Sequence, residues 1–64
     1  MKMSEKMREK FLEERRKYSS PDLGEEIKVL LAEMQGEQDK NLVEFLQDRI
    51  DVCRNLLAER RGIL

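Results

Sequence analysis

The chain has 64 residues, of which 39% are hydrophobic and 42% charged, with a formal net charge of −1, one cysteine and no histidine. That is one domain at most, too small to bury a large core by itself. A single thiol excludes an intrachain disulfide, and without histidine there is neither a zinc ligand set nor a side chain suited to moving protons near neutral pH.

An enzyme is therefore not expected, and no cofactor or metal is. Mixed charge with this apolar content fits a solvated helical protein better than a disordered tail. The N-terminus "MKMSEKMREK" has no apolar core of a secretory signal. No stretch approaches the roughly 20 apolar residues of a membrane span. A cytoplasmic protein is the expectation.

Residues 3–18 are predicted helical. Met3, Met7, Phe11, Leu12, Arg15 and Tyr18 recur at steps of three and four and give one modest apolar stripe. Residues 1–18 also carry seven cations and four anions. On a helix, Lys2, Lys6, Lys10 and Lys17 line up beside Met3, Met7 and Phe11. This net-basic segment is read as an amphipathic helix or arm, with Met3, Met7, Phe11, Lys6, Lys10, Arg15 and Arg16 as candidate partner-docking residues. The four glutamates weigh against a nucleic-acid or membrane footprint, which needs less opposed charge.

"SSPD" restarts the helix. Proline suits a first helical position, so Ser20 is the expected N-cap. Asp22, Glu25 and Glu26 then lie in the first turn, where the helix dipole favours anions. A second helix is predicted over 21–35, with Leu23, Ile27, Leu30, Leu31 and Met34 on one face. The segment "QGEQDKN" is without apolar side chains. Gly36 is the expected left-handed helix end, and Asp39 or Asn41 the next cap. A loop at about 36–38 and an antiparallel return follow.

The strongest helix is predicted over 39–61. Leu42, Leu46, Ile50, Cys53 and Leu57 form its central line, and Phe45, Val52 and Leu56 widen it. Such a stripe is broader than a two-stranded coiled-coil seam, so this helix needs two neighbours. Gly62 is a suitable left-handed end, and Ile63 is placed to fold back on Leu57 or Ala58. Cys53, on the central line, reads as a small buried hydrophobe.

The fold class expected is all-α: a short N-terminal amphipathic helix (1–18) followed by an antiparallel helical hairpin (19–64). A homodimer, assembled as a helix bundle, is expected to cover the third helix. Leu42, Phe45, Leu46, Ile50, Cys53, Leu56 and Leu57 are the candidate dimer or partner interface. The function expected is that of a small non-enzymatic protein–protein interaction module: a regulator, adaptor or inhibitor. Two alternatives stand beside it. One is a dimeric nucleic-acid-binding regulator using the basic N-terminal helix. The other is a subunit or chaperone that folds on its partner.

Overall fold

Three helices and no strand make up residues 3–62, the part of the chain that the computed structural model describes. They are α1 (Glu5–Arg16), α2 (Ser20–Gln35) and α3 (Lys40–Arg60). Each begins at a side-chain cap that satisfies an otherwise orphaned amide. Ser4 Oγ accepts the Met7 N–H at 3.2 Å, Ser19 Oγ accepts that of Asp22 at 3.3 Å, and Asp39 Oδ1 accepts that of Asn41 at 2.9 Å.

The cap of α2 is thus Ser19, one residue before the expected Ser20. The backbone of Ser19 is extended (φ −68°, ψ 161°) and Pro21 lies within the first turn. None of the first four amides of a helix has an intrahelical acceptor, so the helix can start one residue earlier without losing a bond to proline. Ser20 Oγ instead accepts from Arg60 Nη1 at 3.2 Å.

Gly36 also departs from expectation. It ends α2 in a right-handed conformation (φ −89°), and among the described residues only Gly62 takes the left-handed one (φ 74°). The turn after α2 closes through the Glu37 N–H to the Met34 carbonyl at 3.2 Å. The Glu37 carboxylate then accepts the Asp39 N–H at 3.1 Å and leads into the cap of α3. A positive φ is not required for that path. The fold-back of Ile63 falls outside the described residues.

The core has two parts. Phe11, Leu23, Val52, Cys53 and Leu56 form one, and Leu30, Leu46 and Ile50 the other; Ile27 packs against both. Leu23, early in α2, meets the second half of α3, and Leu30, later in α2, meets its first half and middle. The wide stripe of α3 packs against both α2 and α1, and α1 reaches α2 through the cluster that Phe11 shares with Leu23 and through the Arg15–Glu26 ion pair. Phe11 is the residue that makes α1 part of the core, at 6% exposure.

Polar contacts fix α1 at both ends. Asp48 of α3 accepts the Met3 N–H at 3.0 Å and faces Arg8 at 3.8 Å. At the other end Arg60 donates to the carbonyls of Arg16 (3.2 Å) and Tyr18 (2.8 Å). The Arg16 carbonyl is at the unsatisfied C-terminal end of α1 and that of Tyr18 lies just beyond it, so Arg60 supplies a cation where the dipole favours one. Arg16 pairs with Glu59 at 3.7 Å. Among the described residues, no helix is long and apolar enough to cross a membrane.

Candidate functional site

A groove lies along the first half of α3 beside α1, and no residue of α2 lines it. One depression is lined by Asp39, Asn41, Leu42 and Phe45. A second is lined by Met3, Met7, Lys10, Phe11, Glu14, Phe45 and Arg49. They meet at Phe45. Leu42 (42% exposed) and Met7 (49%) stand in this groove as uncovered apolar side chains. The third large exposed hydrophobe, Val29 (54%), lies on α2 and lines neither depression.

Cations and rings alternate in a row from Tyr18 to Phe45, of which Phe11, Arg49 and Phe45 line the groove. Arg15 lies over Tyr18 (4.7 Å to the centroid) and over Phe11 (4.2 Å); Arg49 lies over Phe11 (4.8 Å) and over Phe45 (5.3 Å). The negative face of each ring attracts the guanidinium, an effect of about 0.5–2 kcal/mol per contact, larger where water is excluded. The two arginines differ in their anions. Arg15 pairs with Glu26 of α2 at 3.1 Å and with Glu14 at 3.5 Å. Arg49 and Lys10 have no ion pair among the described residues. The Nε of Arg49 is buried without a hydrogen-bond acceptor, as is that of Arg15.

The candidate residues read from sequence divide into two sets. Leu46, Ile50, Cys53 and Leu56 are buried within the single chain, Leu57 is half-buried against the core cluster that contains Cys53 and Leu56, and Phe11 is buried beneath α1. Leu42, Phe45, Met3 and Met7 line the groove, with Lys10 at its edge. Lys6 is exposed, Arg15 and Arg16 are engaged in ion pairs, and Lys2 lies outside the described residues. Arg49 was not singled out as a binding residue. Its signal is spacing: it falls four residues after Phe45 and three before Val52, on the apolar side of α3, where a cation is unexpected.

Cys53 is fully buried. Burial pushes its thiol pKa up; Glu26 adds to the shift, and Arg15 and Arg49 oppose it. Below the ordinary thiol value, about 8.5, the group is neutral in both folded and unfolded states and its full contribution to stability is present. As pH rises past that value the unfolded state ionises first, and stability is lost toward the raised folded value. Urea melts are expected to show that fall in the wild type and a flatter profile in Cys53→Ala. The thiol is also expected to react with a disulfide reagent only as fast as the chain opens.

No family model, no curated protein and no solved structure matches this chain.

Proposed function

We propose that this chain is a small non-enzymatic protein-interaction domain that binds a partner through the groove beside α3. The observation that carries the reading is that uncovered Leu42 and Met7 line two depressions that share Phe45, while among the described residues the other large hydrophobes, Val29 excepted, are buried or half-buried. Clustered exposed apolar side chains in a concavity rimmed by charge mark interaction sites, whereas single ones do not. In this reading α2 and α3 form the hairpin, α1 is the third helix of the same unit, and the surface offered to partners is what these three leave open.

The nucleic-acid alternative has less support. Arg8, Arg15 and Arg16 each face a carboxylate of the chain, so they are not the unopposed cations that release counterions from phosphates.

Selection of displayed helical peptides against the full chain tests the proposal. Leu42→Glu is expected to weaken the selected binders at least about tenfold, which corresponds to roughly 1.4 kcal/mol, while Val29→Glu leaves them unchanged. Binders indifferent to Leu42→Glu would contradict it. Binding of a 20-nucleotide RNA or DNA that persists at physiological salt, with no peptide selected, would favour the alternative.

A further inference from the structure

We infer that the groove takes an acidic amphipathic helix of another protein, with an apolar side chain on Leu42 and Phe45 and a carboxylate on Arg49. The inference rests on the interaction-domain reading and names its partner's chemistry. It starts from an imbalance of charge. Two cations at the groove, Lys10 and Arg49, have no ion pair among the described residues, and of the two carboxylates in its lining Glu14 faces Arg15 and Asp39 caps α3 by accepting the Asn41 N–H. Arg49 is held over two rings and is only partly exposed. A guanidinium fixed in this way loses little freedom when it meets an anion. A charge-assisted pair in a partly desolvated groove is stronger than one in open water.

Spacing argues for a helix as the occupant. Leu42 and Arg49 are seven residues apart on α3, about 10 Å along its axis. A helix laid beside α3 presents residues i and i+7 at that same separation. It would pack as the fourth helix of a bundle, beside α1 and the first half of α3. Area argues against a second copy in this place. A stable dimer buries about 800 Å² per partner, which is about a sixth of the 4807 Å² surface of this chain. The uncovered apolar residues of the groove are confined to the first half of α3 and the start of α1, a strip suited to one helix.

The test uses two synthetic 21-residue helical peptides with an identical Leu/Ala face, one flanked by Glu and the other by Lys. Each is titrated into the 15N-labelled full chain and followed through amide shifts. The Glu peptide is expected to bind roughly tenfold more tightly, about one 1.4 kcal/mol step, with shifts concentrated at Met7, Leu42, Phe45 and Arg49. Arg49→Gln is expected to bring the two peptides together, and Lys10→Glu, at an exposed position, to weaken the Glu peptide without loss of fold. Equal binding of the Lys peptide at the same residues would overturn the acidic chemistry and leave the interaction-domain reading standing. Shifts of those residues with chain concentration alone would overturn the choice of occupant in favour of a second copy. If neither peptide moves them and dilution does not either, the interaction-domain reading itself fails.

Discussion

Phe11→Ala is expected to leave this chain largely unfolded at 25 °C. A buried Phe→Ala change costs about 3–5 kcal/mol, and a domain of this size has roughly that much stability in total. Phe11 is 6% exposed and packs with Leu23, Val52, Cys53 and Leu56. Its ring also lies against both Arg15 and Arg49, so truncation removes two cation–π contacts along with the apolar area. Phe11→Leu separates the two effects. It keeps most of the volume and loses the ring face, and the expected cost is about 1–2 kcal/mol, within the range of those contacts. Circular dichroism melts of the three proteins check the order. A chain beginning at Ser19 is expected to behave like Phe11→Ala, because removing α1 uncovers the same flank of Val52 and Leu56. A truncated chain that melts cooperatively, near the wild-type temperature, would show instead that α2 and α3 suffice.

The second large effect is a contrast on one helix. Ile50→Glu is expected to abolish folding, whereas Leu42→Glu, eight residues earlier, leaves stability within about 0.5 kcal/mol of wild type. Ile50 is 0% exposed and packs with Leu30 and Leu46; Leu42 is 42% exposed and lines the groove. A carboxylate forced into the first site loses its hydration with no cation supplied in return, a cost of several kcal/mol beyond the lost packing. In the second site it stays in water. If Ile50 served mainly to join two chains, Ile50→Glu would give a folded monomer. The account predicts an unfolded one, with far-ultraviolet helicity lost at every concentration.

The number, order and approximate limits of the helices were legible in the sequence, and the reasons are local. Apolar spacing of three and four marks each helix; Pro21 and the polar stretch from Gln35 to Asn41 separate them. The left-handed end at Gly62 followed from the same rules and is present. Choices between adjacent residues were less legible. Ser19 and Ser20 are chemically alike, and what separates them is Arg60, some 40 residues away, which draws on Ser20 Oγ and the Tyr18 carbonyl. Gly36 was misjudged because a glycine permits a left-handed end without requiring one.

The candidate site was legible in part. The breadth of the stripe on α3 pointed to a need for two neighbours, yet periodicity does not say which elements supply them. The stripe on α1 is thin, and its weight comes from one residue, Phe11, whose value depends on Arg49 of a distant helix. Asp48, which receives Met3 and Arg8, and Arg60 are likewise tertiary partners with no local pattern. Leu42 and Phe45 were among the candidate residues because of their place on the wide face. That they line an open groove depends on how the helices pack on α3, which spacing within one helix does not reveal.

The central claim is that one chain covers its own α3 with α1. Nuclear Overhauser effects between the Phe11 ring and the methyl groups of Val52 and Leu56 measure this directly, on a sample whose mass is determined by light scattering. The account predicts strong cross-peaks at a mass of 7.7 kDa, and none between chains in an isotope-filtered experiment on a mixture of labelled and unlabelled protein. Missing cross-peaks, or cross-peaks only between chains at twice that mass, would contradict it.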